Sequence, residues 1–332
     1  MNLEKSGKTE RTLAEPASAL RSAQNRRWAG AVTGAFALGS VMALLVGSGS
    51  VSAGSSEPES SPTFTSIPIP NGTLFMFTPT VGPDGNIWFP MSEPASIVRI
   101  LSHPPYTVTE FPLAEDSYPS GNPVIGPDGN LWFTEQGDFE SEGSLAPGKI
   151  VRILPHPPYT ITEFDTAHPQ DRPRPFGLVV GPDRNIYYTE VCDQNDGTVN
   201  CPNNSSGSVG RITPFGSGAR IQASVTEVVP KISTCTDEMK GFAPCDAPNY
   251  ITLGPDGNLW FTTTYNINRL TVPGYHFSQF PVPGQNTPPS PYRDYYLAFG
   301  ITTGSDGNLW FTGGYGPAGN HIGGSRHATR TT

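Results

Sequence analysis

One phrase recurs five times along the chain. It reads Gly82-Pro83-Asp84-Gly85-Asn86-Ile87-Trp88-Phe89, then GPDGNLWFTE from Gly126, GPDRNIYYTE from Gly181, GPDGNLWFT from Gly254 and GSDGNLWFT from Gly304. Successive copies start 44, 55, 73 and 50 residues apart, the mark of a repeat array with insertions. Each copy reads as a hairpin: Pro presets φ, Asp bonds the backbone ahead of it, and Gly takes the left-handed position. The predicted turn is a three-residue hairpin ending in a bulge. Asp84 and Asn86 lack the further carboxylates of a calcium loop, so turn chemistry explains them better.

Around each hairpin the pattern supplies four strands. A short apolar segment precedes the turn, and one with apolar residues on both faces, Leu131-Trp132-Phe133-Thr134, follows it. A third strand is expected at Ser96, Lys149, Ser208 and Asn266, and a fourth at Thr107, Thr160, Ser224 and Phe277. Thirty-seven Gly and 36 Pro suit many turns, and the regularly spaced Trp and Phe argue against disorder. The predicted fold is all-β: a β-propeller of four-stranded blades with five recognisable repeats. Phe64–Pro68 reads as a fourth strand and Asn320–Gly323 as a third, so the two ends are expected to share one closing blade. Arg99, Arg152, Arg211 and Arg269 recur at one blade position and are expected to be structural.

The phrase, the following K-I-V-R-I-like strand and the T-E-F-P-L segment together resemble the streptogramin B lyase (virginiamycin B lyase) propeller family. The resemblance covers most of residues 63–325. Members of that family carry seven repeats, so this chain reads as a shortened form of that type. The resemblance implies a magnesium-dependent elimination that opens the ester link of a cyclic peptide antibiotic. Fold likeness alone does not carry an activity.

The start of the chain is different. Arg26-Arg27 precede an apolar stretch from Trp28 to Val46, and Val51-Ser52-Ala53 offers a cleavage site. Residues 1–53 read as a secretory signal peptide, with an uncleaved signal anchor as the alternative. Residues 54–62 read as a disordered linker, 63–332 as the propeller, and the product as secreted or extracytoplasmic. Without residues 1–53 the chain holds 14 basic and 26 acidic residues, a formal charge of −12. That charge disfavours nucleic acid and anionic membranes, and no later segment is long and apolar enough to span a bilayer. A monomer is expected. In an exported chain Cys192, Cys201, Cys235 and Cys245 imply disulfides. Local pairing, Cys192–Cys201 and Cys235–Cys245, is preferred among the three possibilities, and a zinc site is disfavoured without CxxC spacing.

Loops locate the candidate site. Turns between strands one and two and between strands three and four are short, whereas long insertions follow strands two and four. Both kinds of insertion project from one face, where function tends to concentrate. That face gathers Glu135, Asp138, Glu140, Glu142, Glu190, Asp193, Asp196, Asp237, Glu238 and Asp246 among aromatic residues. Tyr265, Tyr295 and Tyr296 are the expected substrate-binding residues, and Glu135 with Glu190 the expected magnesium ligands. An elimination needs a base near neutral pH, and His suits this. His103 and His156 occupy equivalent turns on the opposite face, and His276 is expected to pack. Only His168 and His321 are expected on the elaborated face, and His168 with Glu190 or Glu135 is the candidate catalytic set.

Two functions follow. One is an exported lyase-like enzyme acting on an ester-linked cyclic small molecule. The other is a non-catalytic secreted propeller that binds a peptide, glycan or protein through the same loops.

Overall fold

The computed structural model describes residues 8–11, 64–71, 74–114, 117–137, 146–171, 173–191, 206–216, 222–229, 231–233, 246–282, 297–314 and 321–325. It forms two units, one of Met1–Pro16 with Ile69–Thr332, the other of Ala17–Pro68. The first unit opens with β1 (Lys8–Arg11) and continues into five antiparallel sheets, one per repeat. In blade 1, β2 (Leu74–Met76) and β3 (Thr80–Val81) both pair with β4 (Ile87–Glu93), followed by β5 (Ser96–Ile100) and β6 (Val108–Pro112). Blade 2 holds β7 (Pro119–Ile125), β8 (Leu131–Glu135), β9 (Lys149–Ile153) and β10 (Ile161–Asp165). Blade 3 holds β11 (Arg174–Val180), β12 (Ile186–Val191), β13 (Gly207–Phe215) and β14 (Gln222–Val229). Blade 4 holds β15 (Pro248–Leu253), β16 (Leu259–Thr263), β17 (Asn266–Leu270) and β18 (Phe277–Pro281). Blade 5 has three described strands, β19 (Leu297–Thr303), β20 (Leu309–Gly314) and β21 (His321–Ser325).

The hairpin chemistry is as predicted. Gly82 N–H donates to Asn86 O at 2.8 Å and Gly85 N–H to Gly82 O at 2.9 Å, closing a three-residue loop with Gly85 at φ 75°. Asp84 Oδ1 accepts from the Asn86 backbone at 3.2 Å and from the Trp88 indole at 2.9 Å, while Oδ2 accepts from the Asn86 side chain at 2.7 Å. The same three donors meet Asp128, Asp256 and Asp306, and in blade 3 the Tyr187 hydroxyl replaces the indole on Asp183. The first Gly of the phrase is explained by space. A Cβ at Gly126 would lie 2.4 Å from the Trp132 indole nitrogen.

Strand alternation then stacks the blades. Trp88 of blade 1 packs with Leu131, Phe133 and Val151 of blade 2, and Trp132 of blade 2 with Leu178, Ile186 and Tyr188 of blade 3. Trp260 likewise packs on Ile301 and Leu309 of blade 5. The tryptophans of blades 1, 2 and 4 thus face the following blade, and Phe133 of blade 2 faces the preceding one. Both faces of the second strand are buried, as its apolar run requires. A fully buried aromatic side chain of this kind contributes about 2–3 kcal/mol.

The repeated arginines are structural. Arg99 Nη1 donates to the Tyr159 hydroxyl of the next blade, and Arg211 does the same to Tyr275 at 2.6 Å. Arg269 lies over the Trp260 and Phe280 rings, and Arg152, fully buried, donates to Thr162. His276 departs from expectation: it is exposed in a turn, its backbone N–H held by Thr271 Oγ1 at 3.0 Å.

The expected closing blade does not form among the described residues. Phe64–Pro68 adopts no strand. The inner strands pack in sequence, β7 on β11, β11 on β15 and β15 on β19, and among the described residues no comparable packing joins β19 to blade 1. Trp310 is consequently 41% exposed, whereas Trp88 and Trp132 are fully buried. Lys8–Arg11 pairs antiparallel with β10 and adds a fifth strand to blade 2. The apolar stretch at 28–46 and the linker at 54–62 lie outside the described residues. Among the described residues no helix is long and apolar enough to cross a membrane.

Candidate functional site

The ends of second strands and the starts of inner strands meet on the face that carries the long insertions. Glu135 and Glu190 occupy that level, both 3% exposed. Their partners differ. Glu135 lies opposite Lys149 in the β8–β9 ladder, and Glu190 lies opposite Ser208 in the β12–β13 ladder, where the Ser208 hydroxyl donates to its Oε1. Lys149 Nζ is paired with Glu163 Oε2 at 2.8 Å. Burial acts to lower the Lys149 pKa, but Glu163, together with Glu135 and Asp165, outweighs it and holds the ammonium above its ordinary value. The two expected magnesium ligands therefore stand in separate blades with separate roles in the sheet. Among the described residues no group of three His, Cys, Asp or Glu side chains is placed to hold a metal.

His168 lies on the connection from β10 to β11, just before the 3-10 turn Pro169–Asp171. Its Nε2 is 3.4 Å from Glu227 Oε2 of β14, and its side chain is 44% exposed. The adjacent Ala167 N–H donates to the Tyr188 hydroxyl at 3.4 Å. Tyr188 is buried, and burial, reinforced by the charges of Glu190 and Glu227, pushes its pKa well up, so the phenol stays protonated. Gly210 makes this possible. It lies opposite Tyr188 in the ladder, and a Cβ there would be 2.1 Å from the ring. Blades 1 and 2 have Val98 and Val151 at this point, opposite Phe89 and Phe133.

The structure thus brings His168 to Glu227 and places both beside Tyr188, with Glu190 acting on the same phenol from β12. A carboxylate at Nε2 fixes the imidazole and leaves Nδ1 to accept a proton from outside. Glu227 escaped the sequence reading because it belongs to the repeated T-E-F pattern, with Glu110 and Glu163 at the same register. Only packing of blade 2's exit loop against β14 singles it out.

Other expected residues fall elsewhere. Asp246 is buried and spent on the blade 4 turn, accepting from Tyr265 N–H at 2.7 Å and Asn266 Nδ2 at 2.6 Å. Burial raises its pKa against those hydrogen bonds. Tyr265 is half-buried beside it. Tyr295, Tyr296, the four cysteines, and Asp138, Glu140, Glu142, Asp193, Asp196, Asp237 and Glu238 lie outside the described residues.

No known family description matches the sequence. No curated protein matches it either. Solved structures do. A catalytically inactive histidine-to-alanine variant of virginiamycin B lyase from Staphylococcus aureus, crystallised with quinupristin, superposes with a TM-score of 0.51 at 25% identity. That likeness covers 79% of this chain and 73% of that one. A luciferin-regenerating enzyme matches at 13% identity over 77% of this chain and 78% of its own, with a TM-score of 0.48. A gluconolactonase from Xanthomonas campestris matches at 17% identity over 72% and 69%, with a TM-score of 0.43. With its phrase-bearing four-stranded blades and this superposition, the chain has a streptogramin-lyase-like propeller fold.

Proposed function

We propose that the chain is an exported lyase that opens an ester-linked cyclic small molecule at the face carrying His168. One observation carries this reading: an accessible imidazole held by a carboxylate, His168 Nε2 to Glu227 Oε2 at 3.4 Å, on a streptogramin-lyase-like fold. In the proposed step His168 Nδ1 takes a proton from the carbon next to the alkoxy carbon of the ester. The C–H electron pair becomes a C=C bond, the alkyl C–O bond breaks, and the carboxylate leaves with that bond's electrons. Mass is conserved because no water is added. Glu227 orients the ring and stabilises the imidazolium. Magnesium enters this proposal through the resemblance of the repeats alone.

A second reading is a secreted propeller that only binds. It is favoured by Glu190, whose Oε1 accepts from the Ser208 hydroxyl inside its own sheet.

The test is chromatography with mass spectrometry of quinupristin incubated with the full chain, with added magnesium and with chelator. A product of shifted retention and unchanged mass, lost in His168→Ala, supports the lyase. Unchanged quinupristin with folded protein removes that substrate and leaves the binding reading. Full turnover in His168→Ala rejects the assigned base.

A further inference from the structure

The turns opposite the His168 face hold a pocket of about 280 Å3, lined by Pro127, Asp128, Arg184, Pro214, Phe215 and Gly216. It lies between the hairpin turns of blades 2 and 3 and the end of β13. Its size is near the lower end of the roughly 300–1,000 Å3 range of small-molecule sites.

Arg184 breaks the repeat. Four copies of the phrase place Gly at the left-handed turn position, with φ of 73–75° at Gly85, Gly129, Gly257 and Gly307. Blade 3 places Arg184 there at φ 62°. A Cβ at any of the four glycines meets nothing within 4 Å, so the position has room for a side chain and only the backbone opposes one. A residue held against its backbone preference points to a use for its side chain.

The charges in the pocket favour an anion. Asp128 is already spent: Oδ1 accepts from Asn130 N–H and the Trp132 indole, and Oδ2 accepts from Asn130 Nδ2 at 2.8 Å with the buried Arg152 at 4.0 Å. No described acidic group pairs with the exposed Arg184. Phe215, 53% exposed, stands beside it with the flat rings of Pro127 and Pro214. A guanidinium fork matches a carboxylate in two parallel hydrogen bonds, and an exposed phenyl face accepts a second ring.

We propose that this pocket binds a small aromatic carboxylate, with the carboxylate on Arg184 and the ring on Phe215. The site is separate from the His168 face and independent of any lyase activity there.

The experiment is ligand-observed NMR and calorimetry on the full chain with phenylacetate, 2-phenylethylamine and N-acetyl-L-phenylalanine. Phenylacetate binds in the millimolar range, and the amine, with its charge inverted, binds at least about tenfold more weakly. Arg184→Gly loses binding by at least about tenfold while its melting temperature is unchanged or raised, because glycine suits the turn. Arg184→Lys keeps part of the affinity, and Phe215→Ala weakens binding several-fold with the fold intact. N-acetyl-L-phenylalanine binding more tightly than phenylacetate assigns the carboxylate to a peptide end, and weaker binding assigns it to a free acid. Equal binding of amine and acid, undiminished binding in Arg184→Gly, or no phenylacetate binding at about 10 mM overturns the proposal.

Discussion

Thr134 Oγ1 donates to the carbonyl of Phe176, 2.9 Å away in the inner strand of the next blade. The same bridge joins Thr189 to Asn249 O and Thr262 to Phe299 O. Each threonine is the fourth residue of its L-W-F-T or I-Y-Y-T stretch, so the repeat encodes a contact between blades as well as one within them. Blade 1 has Pro90 at this point, and Ser92 Oγ reaches Pro119 O at 3.4 Å instead. Replacing Thr134 by the isosteric Val should cost about 1–2 kcal/mol, since it leaves a buried carbonyl without its donor. Thr312→Val in blade 5 should cost less, because among the described residues Thr312 bridges to no further blade, accepting from Gly300 N–H of its own, and is exposed. Denaturant unfolding of the two variants checks the difference.

Gly210 and Tyr188 form a second coupled pair. Gly210→Ala forces a methyl group against the buried phenol, and the expected loss is about 1–3 kcal/mol. Shortening Tyr188 to Leu in the same chain should recover part of that loss. A double-mutant cycle measured by thermal unfolding would show it.

Asp183 gives a pH dependence of known sign. Burial acts to raise its pKa, but hydrogen bonds from Asn185 and Tyr187 outweigh burial and hold it below the usual aspartate value. A depressed folded pKa stabilises the fold above the unfolded pKa of about 3.9, and the contribution is lost as pH falls through the folded value. Asp183→Asn should therefore flatten the acid limb of stability below about pH 4 and leave the slope near neutrality unchanged. Unfolding free energies followed across that range test this.

Glu227 acts through His168 in the proposed reaction. Glu227→Gln keeps a hydrogen-bond acceptor but removes the charge, and turnover should fall by about tenfold, against about 100-fold or more for His168→Ala. Unchanged turnover of quinupristin in Glu227→Gln would make Glu227 structural only.

Trp310 should report the uncovered face of blade 5. Among the described tryptophans it alone is exposed, so Trp310→Phe should remove most of the fluorescence that iodide quenches from this set. Quenching that survives the substitution would show that this face is covered.

The sequence by itself determined the blade. A five-fold phrase states its own turn: Gly85, Gly129, Gly257 and Gly307 are left-handed, each phrase's aspartate holds its Asn and its Trp or Tyr, and the third and fourth strands begin within one or two residues of their expected starts. These features rest on contacts between residues at most four apart along the chain, or across one hairpin, so a local pattern is sufficient to specify them. Tertiary structure decided the rest. Glu135 and Glu190 were legible as acidic side chains on the loop face, yet their partners, Lys149 and Ser208, are set by the ladder between second and third strands. His168 found Glu227, 59 residues away, because blade 2's exit loop packs on blade 3. Contacts between blades depend on how sheets stack, and stacking is a property of all the blades together that no single phrase contains.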